Sequence, residues 1–181
     1  QVSLAAAGVA HGVLVGKPGS GRHHVARTIH LAANDGSANL ILPLACPLLE
    51  REVLSRSLQA VTRASTSGGP LATLLLLDLD QLALELQATL LDSLSDERPK
   101  FRILATASRS LNVLAQQGQF GCDLAALVST FELNVPSLVE RRDDLPLLAQ
   151  AVLEQVNRES AKQLGGEPKR ITSNPAWDGS P

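Results

Sequence analysis

The fold is decided by residues 12–23, which run Gly-Val-Leu-Val-Gly-Lys-Pro-Gly-Ser-Gly-Arg-His. The apolar residues at the start of this stretch predict a short buried strand. A glycine-rich turn that contains a proline follows the strand. After the turn, apolar residues recur at a spacing of four as far as Ala33, which is typical of a helix. The stretch therefore predicts a strand, a tight turn and a helix in immediate succession.

The turn keeps the frame of a phosphate-binding loop, G-x-x-x-x-G-K-[ST]. Its glycines let backbone N–H groups curl around an anion, and the helix N-terminus favours negative charge. Arginine stands where the motif has lysine, and this exchange is not conservative, although a guanidinium can still pair with phosphate bidentately. The predicted nucleotide-binding residues are Gly16, Lys17, Pro18, Gly19, Ser20, Gly21, Arg22 and His23. The alternative is a glycine-rich turn that only joins a strand to a helix.

Strands and helices alternate along the rest of the chain, with short connections. Further strands are predicted at 40–45, 73–79, 102–106 and 131–135, and helices at 48–61, 82–94, 111–116 and 143–164. Residues 124–128 are predicted to be helical or a turn. This alternation predicts an α/β fold in which a parallel sheet is covered on both faces. Ligands of such sheets bind at the carboxyl ends of the strands. We expect a core domain over residues 1–164 and a tail, or the start of a truncated lid, over 165–181.

Composition excludes several classes of function. The net charge of −2 argues against sequence-independent nucleic-acid binding, and four aromatic residues are too few for a base-stacking platform. No apolar run approaches the roughly 20 residues that span a bilayer, and no signal peptide is evident. The two cysteines lack metal-site spacing, which favours a reduced, cytoplasmic setting. The absence of methionine suggests that the chain is part of a longer protein.

Five blocks of the sequence, in order, resemble one family, the AAA+ domain of bacterial enhancer-binding proteins that activate sigma-54 RNA polymerase. The similar family motifs are G-E-x-G-T-G-K-E-x-x-A-R-x-I-H at 16–30, V-N-C-A-x-L-x-E-x-L-L at 44–50, L-x-L-Q-A-K-L-L at 84–91, R-I-I-A-A-T-N-R-D-L at 102–111 and L-x-x-R-x-E-D-I-P-L-L-A at 138–149. The resemblance implies a three-layer P-loop NTPase core of AAA+ type, ATP or ADP as ligand, Mg²⁺ as cofactor and a role in transcriptional regulation. The family's helical lid needs more chain than 165–181 provides, so we expect it to be absent or truncated.

The resemblance also implies a Walker B strand that ends in an acidic pair, and here the pair is incomplete. One register places Leu77 at the Mg²⁺-binding aspartate and Asp78 at the catalytic glutamate. The other places Asp78 at the Mg²⁺ position and Leu79 at the glutamate. Asp78 and Asp80 would share one face of an extended strand, so both are candidate catalytic residues and Asp78 is the candidate Mg²⁺ ligand. The alternative is a solvated strand end.

Other functional positions of the family are changed as well. The sensor asparagine corresponds to Ser108, and the two arginine fingers correspond to Gly121 and Leu127. An arginine finger contributes about 10³-fold or more to the rate, so hydrolysis between subunits should be nearly abolished. The sigma-54-contacting loop G-A-F-T-G-A should lie within 60–72, where the chain is shorter and has no phenylalanine. We therefore expect no sigma-54 contact through that loop.

These features support a degenerate AAA+ regulatory module, a pseudo-ATPase that binds ATP or ADP weakly. It would act through protein partners of the transcription machinery or through self-association, without direct contact to nucleic acid or membrane. One alternative is an active ATPase that uses Arg22 with Asp78 or Asp80. The other is a nucleotide-free interaction scaffold that has kept only the fold.

Overall fold

A computed structural model describes residues 11–33, 40–65, 72–94 and 101–164. The strands are β1 (Gly12–Val15), β2 (Ile41–Ala45), β3 (Thr73–Leu77), β4 (Arg102–Ala107) and β5 (Phe131–Asn134). The helices are α1 (Arg22–Ala33), α2 (Arg51–Ser65), α3 (Leu84–Leu94), α4 (Leu111–Gln116), α5 (Cys122–Val128) and α6 (Leu145–Leu164). Short 3₁₀ turns cover Cys46–Leu48, Leu79–Gln81 and Arg142–Asp144. The predicted alternation of strands and helices is confirmed.

The five strands form one parallel sheet in the order β2-β3-β4-β1-β5. Because every strand runs in the same direction, the segments that follow β1, β3 and β4 all leave the sheet at one edge. The order reverses at β1, which lies between β4 and β5 although it comes first in the chain. Ligand sites of open α/β sheets lie outside the carboxyl ends of the strands at such a reversal.

The sheet is covered on both faces, which explains why its strands are almost wholly apolar. Successive side chains of a strand point to opposite faces, so Leu75 and Leu104 join α1 in one buried cluster. Their neighbours Leu74 and Ile103 belong to a larger cluster with α2, α3, α4 and α5. The three-layer arrangement predicted for the core is therefore present.

Three predicted boundaries need correction. Helix α2 begins at Arg51 and continues to Ser65, whereas a helix over 48–61 was expected. Strand β3 ends at Leu77, two residues before the expected end, because the chain enters a 3₁₀ turn. The long C-terminal helix begins at Leu145 after another 3₁₀ turn.

The chain divides into two compact units, Gln1–Ser137 and Leu138–Pro181. The first contains the sheet and helices α1 to α5, and the second contains α6. The division falls inside the 1–164 segment expected as the core, and the expected tail at 165–181 lies outside the described residues. Among the described residues, no helix combines the length and the apolar character needed to cross a membrane.

Candidate nucleotide site at the carboxyl edge of the sheet

The glycine-rich loop runs from the end of β1 to the start of α1, and its shape depends on close packing. A Cβ on Gly16 would lie 2.5 Å from the carbonyl oxygen of Val135 and 2.9 Å from Oγ of Ser20. Gly19 and Gly21 have φ angles of +79° and +84°, which L side chains rarely adopt. The loop thus has glycine where a side chain would collide or the backbone is left-handed, as an anion-cradling turn requires.

Arg22 is the first residue of α1, and its side chain is directed into the protein. The side chain is 6% exposed, and its Nη2 donates to Oδ1 of Asp78 at 3.1 Å. Its Nη1 has no hydrogen-bond partner within the described part of the chain. The basic residue of the predicted phosphate loop therefore contacts the acidic residue that follows β3.

Asp78 is held in position by its backbone. It has a left-handed conformation, with φ 55° and ψ 54°, and its N–H donates to Oγ1 of the buried Thr106 at 3.0 Å. The expectation that Asp78 and Asp80 share one face of an extended strand is wrong, because the strand ends at Leu77. The alternative of a solvated strand end does not describe Asp78 either, since its side chain is 30% exposed and ion-paired.

Asp80 lies in the 3₁₀ turn after β3 and faces the end of β4. The Ser108 hydroxyl donates a short hydrogen bond to Oδ2 of Asp80, while Oδ1 has no partner within the described segments. Burial and, secondarily, the negative charges of Asp78 and Asp80 together raise the pKa of the nearby Cys46 thiol to about 12. The structure thus brings Arg22 to Asp78 and Ser108 to Asp80, in two separate pairs.

The other predicted site residues are on the surface. Lys17, Pro18, Gly19 and His23 are exposed, whereas Ser20 is the loop residue whose side chain is buried. Gly121 and Leu127, at the positions of the family's arginine fingers, are both exposed. Gly121 precedes α5 and Leu127 lies within it.

The loop region expected to correspond to the sigma-54 contact is only partly described. Residues 60–65 are the end of α2, and 66–71 lie outside the described residues.

The residues present do not fit a Mg²⁺ ion. Oδ1 of Asp78, the candidate ligand, already accepts from the Arg22 cation. Within the described ranges, no group of three His, Cys, Asp or Glu side chains could hold a metal ion. A divalent cation beside a bound guanidinium would add like charge, which disfavours its binding.

Two residues that support the site were not predicted. Thr106 holds the Asp78 backbone, and Gln87 of α3 joins two loops: its Nε2 donates to the Leu82 carbonyl at 2.9 Å and its Oε1 accepts from the Gly121 N–H at 2.8 Å. Both are polar side chains that the structure buries. That pattern signals a buried partner but does not say which backbone group it is.

Comparison with known proteins identifies the family. The sequence model of the sigma-54 interaction domain matches residues 1–138. This chain belongs to the sigma-54 interaction domain family. The resemblance drawn from the sequence blocks is thus confirmed, and so is the P-loop NTPase fold of AAA+ type.

Curated relatives of this sigma-54 interaction domain are transcription regulators. The anaerobic nitric oxide reductase transcription regulator NorR of Vibrio vulnificus (strain YJ016) is 34% identical over 166 residues, covering 80% of this chain and 32% of NorR. The DNA-binding transcriptional regulator NtrC of Klebsiella pneumoniae is 30% identical over 192 residues, covering 91% of this chain and 40% of NtrC. The chain therefore spans well under half the length of these relatives.

A solved structure with the same fold is NtrX from Brucella abortus in complex with ADP. It superimposes with a TM-score of 0.68 at 21% identity, over 95% of this chain and 42% of the NtrX chain. At this identity the similarity establishes the fold of the sigma-54 interaction domain alone.

Proposed function

We propose that this chain is a regulatory AAA+ module of sigma-54-activator type that binds ATP or ADP weakly and hydrolyses ATP slowly or not at all. The observation that carries the proposal is the Arg22–Asp78 ion pair, 3.1 Å between Nη2 and Oδ1. It joins the two side chains that a phosphate and a metal would otherwise engage, at the edge of the sheet where ligands bind.

Nucleotide binding is supported by the geometry of the loop. Residues 16–21 adopt a glycine-dependent turn that leads into α1, and the first N–H groups of a helix have no partner within the helix. Helix N-termini favour negative charge, so this turn suits a phosphate. NtrX, which has the same fold, was solved with ADP and with ATP. We transfer this ligand class to residues 16–23 here.

Impaired hydrolysis is supported by what surrounds the loop. Of the two acidic residues, Asp78 is paired with Arg22 and Asp80 accepts from Ser108, so both carboxylates are engaged. Leu79, which follows Asp78, is fully buried and apolar. Phosphoryl transfer to water depends on groups that orient water and neutralise developing charge. Gly121 and Leu127 cannot supply that charge from a neighbouring subunit.

The partners follow from the family. Sigma-54 activators act on the transcription machinery and oligomerise, so we place this module in the cytoplasm with a protein partner of that machinery or a second copy as its target. We expect no contact with sigma-54 through residues 60–72, because the segment has no phenylalanine and begins inside a helix. We also expect no direct contact of this domain with nucleic acid, given the net charge of −2.

An active ATPase is the second candidate, and one observation favours it. Asp78 and Asp80 both lie at the carboxyl edge of the sheet, and Oδ1 of Asp80 is buried without a partner in the described part of the chain. Such an oxygen could orient water. This candidate requires phosphate release that Arg22→Ala abolishes. A nucleotide-free scaffold, the third candidate, requires that no nucleotide changes the stability.

Thermal melting with ATP or ADP, with and without Mg²⁺, tests the proposal. A ligand at ten times its Kd adds about 1.4 kcal/mol to the stability of the folded state. That corresponds to a rise of about 3–6 °C in Tm for a chain of this size. We expect a saturable rise without phosphate release. No rise at millimolar ligand would contradict nucleotide binding altogether.

The matched pair of variants is Arg22→Ala and Arg27→Ala, two arginines of the same helix. Arg27 is exposed, whereas Arg22 is buried in the site. Each variant is compared with its own ligand-free Tm, so a change in basal stability does not affect the outcome. We expect Arg22→Ala to remove the nucleotide-induced rise and Arg27→Ala to retain it. Equal responses of the two variants would place the ligand elsewhere.

A further inference from the structure

The Arg22 guanidinium is buried, and only one of its two terminal nitrogens has a hydrogen-bond partner in the described part of the chain. Nη2 makes one hydrogen bond, to Oδ1 of Asp78, and Nη1 has no partner within the described ranges, although the side chain is 6% exposed. A buried donor without an acceptor is costly, and a charged one more so. Asp78 therefore already holds the cation that an anion at the loop would engage.

A phosphate is the acceptor that suits a guanidinium best besides a carboxylate, because both present oxygens that match its fork. Phosphate and Asp78 are thus ligands of the same kind for the same cation. We propose that Asp78 is an internal competitor of the nucleotide phosphate at Arg22, and that the phosphate binds there free of metal. The inference rests on the proposed nucleotide site at residues 16–23.

Three features of the structure make Asp78 a competitor rather than a helper. Its backbone is fixed by the left-handed conformation and by the hydrogen bond to Thr106, so little conformational freedom is lost when the carboxylate pairs with Arg22. Its charge offsets that of Arg22, the cation a phosphate would use. In addition, the Asp78 oxygen Oδ1 that could coordinate a divalent cation already accepts from the Arg22 guanidinium.

A competitor and a metal ligand at position 78 would have opposite effects on nucleotide affinity. Removal of a metal ligand weakens nucleotide binding in Mg²⁺ and leaves binding in EDTA unchanged. Removal of a competitor strengthens binding in both conditions. Apparent affinity falls in proportion to the fraction of molecules whose site is free, so a pair that is closed about nine-tenths of the time weakens binding about tenfold.

Asp78→Asn is the variant that tests this difference. Asparagine has nearly the same shape and also tolerates the left-handed conformation, so the backbone at position 78 should be kept. The Kd for ADP is measured by titration calorimetry in EDTA and again in Mg²⁺. We expect Asp78→Asn to bind ADP about tenfold more tightly than the unchanged chain in both buffers.

Two comparisons separate competition from a general loss of negative charge. Asp80→Asn removes the same charge two residues away, at a carboxylate that contacts Ser108 and not Arg22, and should tighten binding much less. The double variant Arg22→Ala/Asp78→Asn completes a cycle that isolates the coupling of the two residues. We expect the gain from Asp78→Asn to disappear when Arg22 is absent.

The outcomes distinguish this inference from the proposed function. If the unchanged chain binds ADP and Asp78→Asn binds equally or more weakly, the competitor role is wrong while nucleotide binding stands. An equal gain in Asp80→Asn, or a gain that persists without Arg22, also overturns it. If neither the unchanged chain nor Asp78→Asn binds ADP, the proposed nucleotide site itself is wrong.

Discussion

Gly16→Ala tests whether the phosphate loop depends on the close approach of two backbones. A methyl group at Gly16 would lie 2.5 Å from the carbonyl oxygen of Val135, 2.9 Å from Oγ of Ser20 and 3.3 Å from Cβ of Val135. The Val135 N–H donates to the Val15 carbonyl at 2.7 Å, which ties this residue to the end of β1, next to Gly16. The loop or the end of β5 must therefore shift to accept the methyl group.

The cost follows from this geometry. Overpacking by one methyl group typically costs about 1–3 kcal/mol. Replacing glycine by alanine returns about 0.4–1 kcal/mol by restricting the unfolded chain. We expect Gly16→Ala to lower the free energy of unfolding by about 1.3 kcal/mol, the middle of the first range less the middle of the second.

Gly19→Ala is the matched control in the same loop. A Cβ there would meet nothing within 4 Å, but the φ angle of +79° is unfavourable for alanine. That conformation costs about 1–2 kcal/mol, and restriction of the unfolded chain again offsets about 0.4–1 kcal/mol. The middle values of these ranges give a net loss of about 0.8 kcal/mol. Steric overlap with the backbone at Gly16 should therefore cost more than backbone strain at Gly19.

Equilibrium urea unfolding, followed by far-UV circular dichroism, measures both variants. With a slope of about 2 kcal/mol per molar urea, the midpoint should fall by about 0.5–1 M for Gly16→Ala and by less than about 0.5 M for Gly19→Ala. ADP affinity of the same preparations reports whether the shift reaches the loop. An unchanged midpoint for Gly16→Ala, or a larger loss for Gly19→Ala, would refute the reasoning.

Three further predictions concern buried groups. Burial and, secondarily, Arg102 lower the pKa of His11. The free energy of unfolding should therefore be constant above about pH 6.5 and fall as the pH drops below it, because the unfolded state then binds more protons. His11→Gln should flatten this slope in urea titrations at pH 5–8, and an unchanged slope would contradict the assignment. A thiol reagent should label one cysteine, Cys122, in the native chain and Cys46 only after unfolding, since Cys46 is buried with a pKa of about 12; two thiols labelled without denaturant would contradict this. Gln87→Leu leaves the buried Leu82 carbonyl and the partly buried Gly121 N–H without their partner and should cost about 1–3 kcal/mol in unfolding free energy. A loss below about 0.5 kcal/mol would show that water replaces the amide.

The strands of the sheet could be predicted because buried parallel strands are continuously apolar. Leu74, Leu75 and Leu76 are all at most 2% exposed, although they point alternately to two faces, since helices cover both. The strand order could not be predicted from such patterns. It depends on which strands pair across the sheet, and β1 pairs with the fourth and fifth strands of the chain.

The acidic residues show why the site was harder to predict. The leucine-rich run continues to Leu79, so apolarity alone extends the strand to that residue. In the structure Leu79 is buried in a 3₁₀ turn, and the turn begins at Asp78 with a left-handed conformation that no glycine signals. Aspartate tolerates this conformation, and its hydrogen bond with Thr106 comes from a distant strand. Local patterns therefore contain the residues of the site but not their pairing.

The shape of the loop and the ion pair beside it depend on different residues. Gly16 and Gly21 determine the shape of the loop through close packing and a left-handed φ angle, and neither feature involves the side chain at position 22. The apolar clusters that hold the sheet include neither Arg22 nor Asp78. A largely buried ion pair is weak evidence for stability, because desolvation offsets its attraction. The pair is therefore better explained by what it does to a ligand at the loop than by what it adds to the fold.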